Sequence, residues 1–565
     1  MEKFLDMIAE LISGASGNDK TEIAAKLQFT PEGKFGDIGF PCFSLSASMK
    51  KSPPEIASIL KEKINPPPEI EEIRTEGPYL NFKIRQSAVI SDILTRVNDQ
   101  NEEYGSSNEY AGKTVVMDYS SPNIAKPFGI GHLRSTVIGN SLMKIYRFQG
   151  YNAVGINHLG DWGTQFGKLI YAYKTWGDEN ELKENPIGEL FRLYVRFHEE
   201  AENDPSLDEL ARESFSKLER GDPEAVKVWK RFKEYSQEEF DRIYKMLGIT
   251  FEHQTGESFY NDMMPSVIED LREKGLAKVS RDALIVDLEH YGMPPCLLKK
   301  ADEASLYATR DLAAAIYRHE TFKFDKILYI VGVEQKLHFQ QLFKVLELMG
   351  YDWASNCVHV EFGRIRFEGE EMSTRKGRII LLEEVLNKSH SLARRIIEEK
   401  NPDLEDKEAV AEMVGIGAVI FAQFVARRNK FISFSWDEAL NFDGQTGPYL
   451  QYTHARLSSL NRKFGEDLPQ SLNFDLLDDP SELKLCKLLG QFPIAVKSAL
   501  NENEPSFIAN YLLNLAGEFN RYYQRVRIIV DDRNLAAARI ALSNAVMITI
   551  RNGLNLLGIK SPHKM

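Results

Sequence analysis

A chain of 565 residues is well past the size at which one hydrophobic core keeps growing, so three or four domains are expected. Its 43% hydrophobic, 10% aromatic and 27% charged residues exclude a disordered or fibrous chain. The balance of 70 Lys+Arg against 83 Asp+Glu, a net −13, argues against a non-specific coat on nucleic acid but leaves room for a local basic face that binds RNA.

In chain order, MEKFLDMIAELISG sets Phe4, Leu5, Ile8, Leu11 and Ile12 on one helical face with acids between them. That predicts an amphipathic helix, not a secretion signal. A second helix is predicted from near Pro54, and Pro66, Pro67 and Pro68 must end it. Residues 1–110 thus read as a small α+β domain that includes the strand-like run GPYLNFKI. From 111 to 385, β-rich runs (VVMDYS, NAVGINHL, KILYIVG) alternate with amphipathic helices, the pattern of a parallel sheet with helical crossovers. A charged, helical, strand-free insertion interrupts it between 178 and 248. Residues 386–565 read as all-α, with no strand of their own. Four cysteines, Cys42, Cys296, Cys357 and Cys486, lie far apart with no CxxC pair, which points away from a disulfide scaffold or a zinc site and toward a reducing compartment. The longest apolar run, IGAVIFAQFVA, has 11 residues, too few for a membrane span.

The most informative stretch is VVMDYSSPNIAKPFGIGHLRST. A strand over 115–119 runs into a loop with Pro122, Pro127, Gly129 and Gly131. A helix with apolar Leu133, Val137, Leu142 and Ile145 follows. Strand, glycine-bearing loop and helix N-terminus together form a site where free N–H groups and the helix dipole face phosphates. The stretch matches neither the dinucleotide GxGxxG nor the GxxxxGK[ST] phosphate loop, and Gly-x-Gly-His alone is a weak signal.

With its flanks, however, the stretch resembles the HIGH signature of class I aminoacyl-tRNA synthetases, and SSPNIAKP before it and GHLRST after it resemble the arginyl-tRNA synthetases in particular. GEEMSTRKGRIILLEE stands where that family carries its second signature, KMSKS. NHLGDWGTQFGKL, SLYATRDLAAA, YIVGVEQKLHFQQLF and FDGQTGPYLQYTHARLSSL extend the resemblance in collinear order across nearly the whole chain. Two departures stand out. Gly129 replaces the first histidine of HIGH, leaving Gly131 and His132, and both KMSKS lysines are absent from Glu371-Met372-Ser373-Thr374-Arg375. The resemblance implies that Lys126 supplies the lost cation. Charge that builds on the phosphates as they separate must meet fixed cations and N–H groups, so Lys126, His132, Arg375 and Lys376 are the candidate catalytic residues. Gly129, Gly131, His132, Gly332, Met372 and Ser373 are the candidate ATP contacts, with Mg²⁺ on the phosphates.

An arginine guanidinium offers five donors and no acceptor, so its pocket must supply carboxylates and amide oxygens. The resemblance carries this role to Asn123, Glu257, Tyr307, Asp311 and Gln335. Tyr307 and Asp311, four apart, would share one face of a helix. Such a pocket rejects analogues by a factor of about 10⁴ or more without proofreading, because a wrong side chain leaves buried acceptors unpaired. The short helical insertion has no run like a β-rich editing domain. For tRNA, Tyr449, Arg456 and Arg525 interleave aromatic and basic groups on the C-terminal helices, where the family places its anticodon-binding bundle. Tyr79 and Asn81 share a strand face in the segment with which the family contacts the outer corner of the tRNA.

The fold expected from all this is a multidomain α/β chain: an N-terminal α+β tRNA-binding domain (1–110), a Rossmann-like class I core (111–385) and an α-helical anticodon-binding domain (386–565). The expected function is cytoplasmic, monomeric arginine–tRNA ligation from L-arginine, ATP and tRNA(Arg), with no membrane partner and with activation dependent on bound tRNA, as the resemblance implies. Two rivals stay open at this stage, a class I synthetase for another amino acid and a catalytically dead RNA-binding paralogue.

Overall fold

The sequence Thr-Val-Val-Met-Asp is apolar on both faces and rich in β-branched residues, and it forms the central strand, Thr114–Asp118, of a five-stranded sheet. The computed structural model describes residues 2–30, 36–299, 307–367, 380–469 and 471–565. The expectations on Met372, Ser373, Arg375 and Lys376 lie outside these residues. Across the sheet the strands run Cys357–His359, Lys326–Tyr329, Thr114–Asp118, Asn152–Asn157 and His253–Gln254, parallel throughout. The helix Leu133–Phe148 buries Leu133, Val137, Ile138, Leu142 and Ile145. A Cβ on Gly139 would stand 2.2 Å from Tyr119 Cγ, so glycine is what lets this helix close on the chain beneath it. Strand order reverses between Thr114–Asp118 and Lys326–Tyr329, where Asp118 and Tyr329 are register partners. A crevice outside the carboxyl ends of strands at such a switch point is where open α/β sheets bind ligands.

The chain divides into two compact units. The one with this sheet comprises Gly105–Arg456, Ile494–Leu513 and Ile550–Met565. Within it the insertion is helical, as expected: Glu179–Glu184, Pro186–Asn203, Ser206–Glu219 and the long Pro223–Leu247. Two features correct the sequence reading. The strands Ala277–Ser280, Ala283–Val286 and Cys296–Lys299 form a separate antiparallel sheet inside the alternating region. The region beyond 386 also does contain a strand, Ile432–Phe434, paired in parallel with Ile365–Phe367. Three residues are too few to show a two-residue period, and the partner is remote in sequence.

The other unit comprises Met1–Tyr104, Leu457–Pro493 and Asn514–Thr549. Its N-terminal part is an antiparallel sheet in the order Gln28–Phe29, Ile38–Pro41, Tyr79–Ile84, Ile70–Glu76. The helix Glu2–Ser16 buries Phe4, Ile8 and Ile12, and the helix Pro53–Lys63 opens on a Ser52/Glu55 capping box. All four cysteines are buried and free. No described helix is long and apolar enough to cross a membrane.

Candidate active site

A cleft of about 710 Å³ opens at the switch point. Asn123, Glu257, Tyr307, Asp311 and Gln335 all line it, together with Gly131, His132 and Gly332. The chain reaches this geometry through a strained loop. Ser120, Ser121 and Ala125 have φ of +70°, +51° and +60°, left-handed values that cost a non-glycine residue about 1 kcal/mol or more each. Hydrogen bonds hold them there. Ser120 N–H donates to Ser135 Oγ at 2.9 Å, and Ser121 Oγ–H donates to Asp118 Oδ1 at 2.8 Å. Ile124 N–H donates to the Gly160 carbonyl at 3.2 Å, and Gly160 N–H to that of Pro122 at 3.0 Å. A Cβ at Gly160 would lie 2.0 Å from Asn123 Oδ1, so glycine is required for this close approach.

The helix Tyr307–Phe322 contributes Tyr307, Asp311, Ala314 and Arg318, a stripe at helical spacing. Asp311 Oδ2 lies 2.6 Å from His338 Nε2. Burial alone would raise the Asp311 carboxyl, but the hydrogen bond and charge of His338 outweigh it and hold it below its usual range. Burial likewise works against a charged His338, and Asp311 overcomes it, so the imidazole is raised. Glu257 faces Arg310, whose Nη1 is 3.3 Å from Oε2. Burial nevertheless pushes Glu257 up to about 8, against the pull of that guanidinium. At the strand ends, buried Arg318 pairs with Asp118 at 2.8 Å. His132 packs its ring on Phe128, and burial, with Lys126 adding to it, keeps the imidazole below its ordinary value.

Lys126 and Gly129 do not line the cleft. Lys126 Nζ lies 3.5 Å from Gln165 Oε1 and 4.6 Å from the centre of the Tyr194 ring. Gly129 is buried in an antiparallel bridge with Leu381, flanked by bonds from Ile130 N–H to the Ile380 carbonyl and from Leu382 N–H to that of Phe128. The two signature regions therefore meet through backbone at this point. Among the described residues no group of three or more His, Cys, Asp or Glu could hold a metal ion.

Tyr79 and Asn81 line one pocket of about 370 Å³ with Phe29, Gly39 and Glu76. Tyr449 and Arg456 lie on the helix Gly447–Phe464, both half-buried, with the Arg456 guanidinium 4.8 Å from the centre of the Tyr452 ring. Arg525 belongs to the other compact unit and is bound to Asp479 Oδ1 at 2.6 Å and Ser481 Oγ at 2.8 Å.

Sequence reasoning missed Asp118, His158, Arg318 and His338, which also line the cleft. Arg318 stands seven residues past Asp311 and was within reach of a helical-stripe argument. His338, three past Gln335, had a weaker signal of the same kind.

The family described as "tRNA synthetases class I (R), catalytic domain" matches residues 91–436, "DALR anticodon binding domain" matches 450–565, and "Arginyl tRNA synthetase N terminal domain" matches 2–84. Among curated relatives, a protein of Alkaliphilus metalliredigens named arginine–tRNA ligase is 48% identical, with all of both chains covered. One of the same name from Halothermothrix orenii is also 48% identical, over 100% of this chain and 99% of its own. Among solved structures, the arginyl-tRNA synthetase of Thermus thermophilus superposes with a TM-score of 0.78 at 26% identity, covering 99% of each chain. That of Plasmodium falciparum superposes at 0.75 and 24% identity over 99% of each chain, and supports the fold.

Proposed function

The chain belongs to the class I arginyl-tRNA synthetases, and from that premise we propose how its residues divide the work. It is an arginine–tRNA ligase. The carboxylate of arginine attacks the α-phosphate of ATP in line, giving arginyl-adenylate and pyrophosphate, and the terminal ribose of tRNA(Arg) then takes the arginyl group. No side-chain nucleophile is needed; the protein's part is to position and to supply charge.

The reading of the site rests on one observation: all five residues with the acceptor chemistry a guanidinium needs line a single cleft at the switch point of the sheet. Asp311 and Glu257 receive the guanidinium, with Tyr307 and Gln335 beside them. Asn123 holds the α-amino and carboxylate end next to Gly131 and His132, which receive ATP. Lys126 serves the phosphates in place of the missing signature lysines. Mg²⁺ would enter with ATP and offset charge on its phosphates, a role that calls for few protein ligands. Tyr79 and Asn81 take a splayed nucleotide of the tRNA, and Tyr449 and Arg456 contact it from the C-terminal helices. The enzyme works as a cytoplasmic monomer.

Aminoacylation of total tRNA with each amino acid in turn tests the assignment. Arginine alone should be charged. Charging with a different amino acid indicates another class I specificity, and no charging indicates a dead paralogue. ATP–pyrophosphate exchange should stay near background with arginine and ATP, and appear when cognate tRNA is added.

A further inference from the structure

We propose that the long insertion helix, Pro223–Leu247, is the positioning element for the Asn123–Lys126 loop, with Tyr244 and Ser236 as its positioning residues. The inference rests on the proposed roles of Asn123 and Lys126 in the site.

Tyr244 sits inside a hydrogen-bond chain that can run in only one direction. Asn157 Oδ1 accepts from Ser121 N–H at 3.2 Å, which leaves its Nδ2 to donate to Tyr244 OH at 3.1 Å. The tyrosine hydroxyl has one proton, and its remaining partner is Ser120 Oγ at 2.8 Å. Ser120 Oγ in turn meets Thr136 Oγ1 at 2.7 Å, and Thr136 Oγ1–H donates to the His132 carbonyl at 2.7 Å. Every proton is thereby assigned: Asn157 to Tyr244, Tyr244 to Ser120, Ser120 to Thr136, Thr136 to His132. The chain joins a strand end, the insertion helix, a left-handed loop residue and the His132 turn. A fully satisfied buried chain of this kind fixes its members in one arrangement.

Ser236 acts at the other end of the loop. It is fully buried and donates its proton to the Phe232 carbonyl at 2.6 Å, so its lone pair is left to accept from Ala125 N–H at 2.7 Å. Ala125 is left-handed and adjoins Lys126, and its N–H has no strand or helix partner to replace Ser236. The same helix also acts on the segment of Glu257, through Asp161. Lys233 Nζ pairs with buried Asp161 Oδ2 at 2.7 Å, and Trp229 Nε1–H donates to the Asp161 carbonyl at 2.8 Å. Asp161 Oδ1 takes the Ser258 N–H at 2.7 Å, one residue from Glu257. A single helix thus fixes the backbone on both sides of Asn123 and the backbone next to Glu257. This gives the insertion a task in catalysis although none of its side chains named here lines the cleft.

The test compares Tyr244→Phe, Ser236→Ala and Ser236→Thr with Lys126→Ala in the full-length enzyme. ATP–pyrophosphate exchange is measured with saturating tRNA and expressed per titrated active site. Tyr244→Phe and Ser236→Ala should each lower kcat by about 10- to 100-fold, the scale of a misplacement of about 1 Å, while KM for tRNA in charging stays unchanged. Ser236→Thr, which keeps the hydroxyl, should recover most of the loss. A kcat per active site within about twofold of the wild type in both hydroxyl deletions, with only the melting temperature lowered, overturns the inference while Lys126→Ala is impaired. An unimpaired Lys126→Ala overturns the site reading beneath it instead.

Discussion

Nε2 of His338 lies 2.6 Å from Oδ2 of Asp311, so a carboxylate assigned to the substrate guanidinium already holds a cation-forming group of the chain itself. Glu257 has the Arg310 guanidinium 3.3 Å away, but burial pushes its carboxyl up to about 8. Buried carboxylates without a partner are costly, and these two internal partners lower that cost. On the proposed assignment, bound arginine takes the place of His338 at Asp311, one cation for another.

That exchange makes binding depend on pH. Protonated His338 competes for Asp311, and its raised pKa extends this competition upward from the ordinary histidine range. Above that value the ring is neutral and the competition ends. Glu257, pushed up to about 8, becomes an anion only as pH passes that point. Both effects favour arginine as pH rises, so KM for arginine should fall from about pH 6 to about pH 9 while KM for ATP changes little. Calorimetry in buffers of different ionisation enthalpy should show protons released on arginine binding. A flat KM with no proton release would dismiss the exchange.

Asp311→Asn keeps the shape of the side chain and removes its charge. It should raise KM for arginine by the equivalent of about 2–3 kcal/mol, with ATP affinity nearly intact. Citrulline, which lacks the positive charge, should compete poorly with the wild type. Competition equal to that of arginine would mean that the pocket does not read charge.

Lys126→Ala should lower kcat for adenylate formation by about 10²-fold or more and leave arginine affinity in place, because the cation acts on charge that develops only in the transition state. Its present position near Gln165 and Tyr194 does not prejudge this, since a lysine side chain can swing several ångströms about its four-carbon stem. Exchange at the wild-type rate would assign the phosphates to another group.

Tyr79→Ala should weaken tRNA without touching activation. Loss of one base–aromatic stack is worth about 1–3 kcal/mol. KM for tRNA should rise accordingly, while exchange at saturating tRNA keeps its kcat. A variant with unaltered KM for tRNA would take the pocket around Tyr79 and Asn81 out of the interface.

The strand, loop and helix that border the cleft were legible in the sequence because they are contiguous, following one another within residues 114–148. Tyr307 and Asp311 were legible for a similar reason, as helical spacing brings them together. The pairs that tune and hold the site were not. His338 is 27 residues from Asp311, and Tyr244 is 124 from Ser120, separations at which no local periodicity operates. The strand Ile432–Phe434 escaped because its partner, Ile365–Phe367, comes from before the long helices that precede it. Nor could composition show that Arg525 is already bound to Asp479.

The state of the four cysteines has a practical consequence. Burial pushes the thiols of Cys42 and Cys296 up to about 11 and that of Cys357 up to about 12, and raises Cys486 as well. Maleimides and iodoacetamides react with accessible thiolates, and the folded chain presents none. A cysteine introduced on the surface, Val279→Cys for example at a side chain 78% exposed, would then be the one fast-reacting thiol of the native enzyme. A fluorophore could be attached there with every natural cysteine left in place. Unfolding would unmask the other four, so the same reagent that labels the working enzyme also reports, by stoichiometry, the fraction that has lost its structure.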